Sequence, residues 1–352
     1  MVIGNSILNA HSKYNLSASY QLFPALLSII FLFLYGSKFG VLAVLVGMII
    51  GQVLNYICIS YHLLKQNILL IPVKKNINTE NKNKFLYQFA TLSFVTLFFQ
   101  IIILINNSMA SNLGYGSISS LNIGLKFLFF ITGIVAAVMS MVILPYFSSM
   151  YVVNKLVTAR NELIRFVILA TSISMCVCIC MFFLSGHIIN IIFDSNIISM
   201  NNVENITNII KLGLIQIPFF TCLMLLIKFC IAFKINKEIL LSSIVAVISN
   251  IILNTYFIGI MGISGIALST SLSISLATFM LMFLIQKRVN IILTEILFIF
   301  SLWVFFIIIM LCLYNSYYAG VIVASIAMGI NSISLYREYL LKDKVFSVRQ
   351  NI

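Results

Sequence analysis

The sequence has very little charge, and this scarcity decides its class. Only 8% of the 352 residues are charged, against roughly a quarter in an ordinary soluble domain. There are four prolines and eight acidic residues. Because a compact soluble domain must cover itself with polar groups, the composition excludes a cytosolic enzyme, a secreted disulfide scaffold, a disordered chain and a typical nucleic-acid-binding domain.

The sequence also lacks the patterns that carry catalysis or metal binding. It has no G-x-S-x-G, H-E-x-x-H or Walker A motif and no paired carboxylates. The three histidines stand apart from other ligands, and Cys176, Cys178 and Cys180 are two residues apart, which is not metal-ligand spacing. We therefore predict a protein that is not an enzyme and that holds no metal or cofactor.

The sequence is rich in long hydrophobic runs. Hydrophobic residues make up 62% of the chain, and a bilayer core needs about 20 of them per helix. Runs of that size predict an all-α polytopic membrane protein with about ten transmembrane helices. Their predicted spans are 17–36, 39–61, 86–105, 119–144, 166–185, 207–230, 239–259, 264–285, 291–312 and 319–336.

Basic residues fall on one side of these spans. Of the 21 Lys and Arg residues, 17 lie in alternate connections or in the C-terminal tail. The positive-inside rule makes that side cytoplasmic, with the C-terminus inside. The chain is therefore expected in a membrane that borders the cytoplasm.

The spacing of the spans divides the chain into four parts. Residues 1–61 hold a short stub and two transmembrane helices, and 62–85 form a basic cytoplasmic linker. Residues 86–336 form a bundle of eight transmembrane helices, and 337–352 are a basic cytoplasmic tail. We see no signal peptide before the first span.

Charges inside spans are costly and are candidates for function. Lys126 lies about seven residues into its span, ~10 Å deep at 1.5 Å per residue, and no acidic residue lies within one turn of it. It either faces a water-filled cavity that accepts an anion or snorkels to the interface. Lys211 and Lys228 lie near span ends and can snorkel, and Glu295 is expected to form an interfacial ion pair with Arg288.

Small residues and amides predict helix contacts. Gly47 and Gly51 form a G-x-x-x-G motif that allows close approach of two helices. Asn250 and Asn254 share one helix face and should meet another helix or a cavity. We expect Asn122, like Lys126, to point into protein or water.

Several segments together carry a family resemblance. They include Ile7–Tyr14 (ILNAHSKY), the stretch from Asn106 to Pro145, Gly213–Phe220 (GLIQIPFF) and Gly262–Ser273 (GISGIALSTSLS). In order and spacing they resemble the MviN/MurJ-type lipid II flippases. That family belongs to a superfamily that also holds O-antigen flippases and MATE exporters. The resemblance covers nearly the whole chain.

The resemblance implies the MOP/MATE-like two-lobe flippase fold without its first helices. The family has fourteen spans, and this chain is similar to the end of the fourth through the fourteenth. Residues 1–61 would then be a remnant of the N-terminal lobe, and the chain a shortened or divergent member. Lys126 stands where the family usually has arginine. Ile231–Phe233 replaces the family's Tyr-Ala-Arg stretch.

The function implied by the resemblance is transport of an undecaprenyl-pyrophosphate-linked saccharide, with lipid II first, for peptidoglycan synthesis. Lys126 would bind the diphosphate, and Asn122, Asn250, Asn254 and Lys211 could line the cavity. The partners would be this lipid-linked oligosaccharide and membrane lipids, without nucleic acid. The alternatives are a Wzx-like flippase of O-antigen or capsule units, an inactive truncated remnant, and a membrane-embedded polymerase or ligase.

Overall fold

The computed structural model describes residues 19–65, 79–153, 155–192, 200–289 and 293–314, together with positions 4, 7 and 16. In these ranges the regular structure is helical. The helices are α1 (Phe23–Phe39), α2 (Val41–Lys65), α3 (Thr79–Ser111), α4 (Ser117–Val152), α5 (Leu156–Ile192), α6 (Met200–Gly213), α7 (Gln216–Ala232), α8 (Asn236–Met261), α9 (Ile263–Val289) and α10 (Leu293–Tyr314).

These helices confirm the predicted fold class. Within the described residues, six helices are long and apolar enough to cross a membrane, and α6 with α7 makes a seventh as a bent pair. The shorter α1 and the 22-residue α10 correspond to the predicted spans 17–36 and 291–312. The tenth predicted span, 319–336, and the tail lie outside the described residues.

Several helices extend beyond their predicted spans, and α5 exceeds the span 166–185 at both ends. α3 begins at Thr79, inside the segment expected to be a linker, and α4 runs through Pro145 to Val152 instead of ending at residue 144. The extension of α4 is held by aromatic packing, because the buried Phe147 ring lies 5.2 Å from Phe229 and 6.2 Å from Phe166.

The chain divides into two compact units, residues 1–78 and 79–352. In the first unit α1 packs on α2 across the predicted glycine motif. A Cβ at Gly47 would lie 2.6 Å from the carbonyl oxygen of Leu27, and one at Gly51 would overlap the backbone of Pro24. The close contact expected from the G-x-x-x-G spacing is therefore confirmed.

In the second unit a broken helix lies at the centre. α6 and α7 pack against α4, α5 and α9, and most side chains of α7 are buried. The predicted span over 207–230 corresponds to this pair, and its bend was not predicted: α6 and α7 meet at an angle of 44°. Pro218 explains the break, since it has no N–H to donate to Leu214 and its ring crowds that carbonyl group.

Neighbouring helices satisfy the carbonyl groups around the break. The Cys178 Sγ lies 3.3 Å from the carbonyl oxygen of Leu214, and the Ser271 hydroxyl donates to that of Leu212 at 3.0 Å. The Thr278 hydroxyl donates to the Phe219 carbonyl at 3.2 Å. Irregular backbone at membrane depth is tolerated only when its polar groups are satisfied in this way.

Replacing Gly51 by Ala should destabilise the α1–α2 pair by about 1–3 kcal/mol, because the new methyl group meets backbone that cannot move aside. The matched control is Gly259→Ala, since a Cβ at Gly259 has no neighbour within 4 Å. The free energy of unfolding in detergent measures the difference. Equal stability of the two variants would contradict the close contact.

Candidate functional site

The rotation of α4 is fixed by its contact with α6. A Cβ at Gly124 would lie 2.5 Å from Ile209, and one at Gly213 would overlap Leu128. Leu121, Gly124 and Leu128 are buried on this side of α4. At 100° per residue, Lys126 lies on the opposite side of the helix.

Lys126 is exposed on that outward face, as its rotation requires. Asn122, one turn before it, is half-buried, and Phe130, one turn after it, is 70% exposed. Among the side chains that the structure describes, the ion pairs involve Arg165 with Glu162 and Arg288 with Glu238, and none reaches Lys126. The lysine is thus a cation inside a spanning helix, without a described counterion.

Lys211 has a different environment. It is half-buried on α6, and its ammonium group lies 5.2 Å from the centre of the Phe182 ring on α5. This is a cation–π distance, and the aromatic face compensates part of the lost hydration. The structure therefore directs Lys211 to α5, whereas Lys126 projects from the side of α4 opposite α6.

Asn250 and Asn254 belong to a buried polar cluster that joins three helices. The Asn254 amide donates to Asn106 at 2.9 Å and to Asn250 at 3.1 Å. The Asn106 amide donates to Thr270 at 2.9 Å. Asn250 and Asn254 are 0% exposed. In this structure they contact protein, which is the helix-contact alternative given by the sequence. That they line a cavity stays a prediction.

The polar cluster is uncharged and holds helices together. It connects α3, α8 and α9 through residues up to 164 positions apart. An amide that faced acyl chains would lose its hydrogen bonds, so separating these helices costs free energy. Sequence reasoning missed Asn106 and Thr270 because their pairing depends on tertiary packing and leaves no periodic signal.

Arg288 forms an ion pair that the sequence did not predict, and its expected pair with Glu295 stays a prediction. The Arg288 Nε donates to the Glu238 carboxylate at 3.0 Å, and Glu238 is nearly buried. The side chain of Glu295 lies outside the described residues. The pair ties the start of α8 to the end of α9, so the carboxylate is neutralised by a neighbour that is distant in sequence.

No group of three His, Cys, Asp or Glu side chains comes together in the part of the chain that the structure describes. The absence of a metal and of a cofactor stays a prediction.

Comparison with known proteins gives consistent matches. A family model described as lipid II flippase MurJ matches residues 1–334. A curated protein of Borreliella burgdorferi, a probable lipid II flippase MurJ, is 24% identical over 299 residues, which is 84% of this chain and 58% of that protein. The chain thus spans less than two thirds of this relative's length.

Solved structures are similar in fold. The inward closed conformation of a lipid II flippase MurJ aligns with a TM-score of 0.65 and 20% identity, covering 96% of this chain and 71% of that one. A MATE structure in the straight conformation aligns with a TM-score of 0.65 and 14% identity, covering 82% and 65%. At these identities the likeness concerns the fold alone.

Replacing Asn254 by Leu should destabilise the protein by about 1 kcal/mol, because the change removes two hydrogen bonds of the polar cluster. Thr255→Val is the matched control, since the Thr255 hydroxyl bonds only to its own helix at the Ile252 carbonyl. Thermal unfolding in one detergent compares the two variants. A loss for Thr255→Val as large as that for Asn254→Leu would refute the role of the cluster.

Proposed function

The chain belongs to the lipid II flippase MurJ family, and from this membership we propose that it moves an undecaprenyl-pyrophosphate-linked saccharide across the bacterial cytoplasmic membrane. Lipid II, the precursor of peptidoglycan, is the proposed substrate. The protein acts as a transporter and forms no covalent bond with the lipid. Its C-terminus lies in the cytoplasm, on the side where basic residues accumulate.

The physical task defines what the protein must offer. The polyprenyl tail of the substrate is stable in hydrocarbon, but its sugar and diphosphate groups are not. Transport by alternating access needs a polar site near the middle of the membrane that opens to one side at a time. Because the diphosphate is anionic, such a site needs a positive charge.

The exposure of Lys126 inside a spanning helix is the observation that supports a binding site for the diphosphate. A charge at the centre of a span costs about 2.5–3.5 kcal/mol on insertion scales. The contact of α4 with α6 fixes the rotation that exposes Lys126, so the side chain cannot turn into the helix bundle. Water and an anionic ligand remove the cost, and the diphosphate supplies the anion.

The membrane potential gives this charge a second role. With the cytoplasm negative, the potential draws a positive side chain inward by ~2.3 kcal/mol per elementary charge for each 100 mV crossed. When a diphosphate is bound at Lys126, the lysine and its ligand together carry a net negative charge, so the potential acts on them in the opposite direction. We propose that the potential resets the empty protein toward the cytoplasm, where the substrate is made.

Lys126→Ala should abolish complementation of a strain depleted of its own lipid II flippase, while the wild-type chain restores growth. The translocation rate should fall by roughly tenfold or more, because a charge-assisted contact with the diphosphate is lost. Lys126→Arg keeps the charge and should retain activity. Lys155→Ala, which removes an exposed charge outside the spans, is the matched control.

Membrane levels of each variant are measured in the same cells. If Lys126→Ala restores growth at wild-type levels, the site assignment is wrong. If the wild-type chain itself does not restore growth although it is present in the membrane, the proposed function is contradicted.

A further inference from the structure

An apolar groove of about 280 Å³ lies between α4, α5 and α7. Ile131 and Ile143 form its wall on α4, Phe166 and Ile173 on α5, and Leu225 on α7. All of these residues belong to helices that cross the membrane or extend from it. The groove is separate from the outward face that carries Lys126.

The few hydroxyl groups in the groove are already satisfied. Ser174 donates to the Thr171 carbonyl at 2.8 Å, and Thr221 donates to the Ile217 carbonyl at 2.8 Å. The groove therefore presents hydrocarbon alone, and within a bilayer its occupant must be a hydrocarbon chain.

The length of the groove matches one leaflet. Its lining on α5 runs from Phe166 to Val177, a distance of about 16 Å at 1.5 Å per residue. This is about half of the ~30 Å hydrocarbon core. A phospholipid acyl chain has this reach, whereas an undecaprenyl tail is far longer.

A cation lies at one end of the groove. Lys228 follows Leu225 by three residues and Thr221 by seven, so it continues the same face of α7 one turn beyond the groove. It is half-buried, and within the described residues it has neither an ion pair nor a hydrogen bond. On α5 the carboxylate of Glu162 is paired with Arg165 at 2.8 Å.

We propose that this groove is a binding site for an anionic phospholipid of the cytoplasmic leaflet. One acyl chain lies along α5 and α7, and the phosphate group contacts the ammonium group of Lys228. The end that carries Lys228 is followed by Lys234 and Lys237, so it faces the side where anionic lipids attract basic residues. The inference does not depend on the proposed transport activity.

Native mass spectrometry of the full chain in detergent tests the site, with phosphatidylglycerol and phosphatidylcholine of identical acyl chains as probes. The wild-type chain should bind phosphatidylglycerol about fivefold more tightly than phosphatidylcholine. Lys228→Gln should remove this preference, and Lys228→Arg should keep it. Lys237→Gln, which removes an exposed charge at the same side of the membrane, is the matched control and should also keep it.

Filling the groove tests the acyl chain. Ala170→Phe places a ring among the lining residues and should weaken the binding of both phosphatidylglycerol and phosphatidylcholine. The Lys228 variants decide the matter if this variant does not fold. An unchanged preference in Lys228→Gln overturns the proposal, as does an equal loss in Lys237→Gln. Undecaprenyl phosphate is tested in the same way. If it binds more tightly than phosphatidylglycerol, and if Ala170→Phe and Lys228→Gln both abolish that binding, the groove holds a polyprenyl tail and the proposal is overturned.

Discussion

The structure depends on one constraint, which is that a lipid bilayer offers no hydrogen bonds. Every polar group at membrane depth must find its partner within the protein. The broken helix meets this requirement through Cys178, Ser271 and Thr278, which bind carbonyl groups around the break. The polar cluster of Asn106, Asn250, Asn254 and Thr270 meets most of it by pairing amides and a hydroxyl among three helices, although the Asn254 Oδ1 has no partner among the described residues. The same constraint thus explains both the irregular backbone and the cross-helix contacts.

Lys126 stands out against this background. Lys211 contacts an aromatic ring, and Glu238 is paired with Arg288. Lys126, by contrast, is exposed and has no described counterion, on a helix whose rotation is set by glycine contacts on its other side. A cation that faces outward from a spanning helix, without a described counterion, is suited to bind an anion. Family membership gives that anion a proposed identity, the diphosphate of a lipid-linked sugar.

Hydropathy was enough to predict the helices, because the bilayer imposes a length on every span. It could not predict the break between α6 and α7, since hydropathy does not register the missing N–H of Pro218. The close packing at Gly47 and Gly51 was readable because small residues leave a local spacing. The pairing of Arg288 with Glu238 was not readable, because the two residues are 50 positions apart in sequence. The sequence identified Lys126 through its isolation, but only the contact of α4 with α6 shows which way it faces.

The central claim is that Lys126 meets water and not acyl chains. Thiol labelling in cells tests it directly, with single cysteines placed in a background without the native ones. We compare Lys126→Cys with Ile252→Cys, which is 62% exposed on the side of α8 away from the polar cluster. An anionic, water-soluble methanethiosulfonate should modify position 126 much faster than position 252. Equally slow modification of both positions would place Lys126 among the lipids and contradict the account.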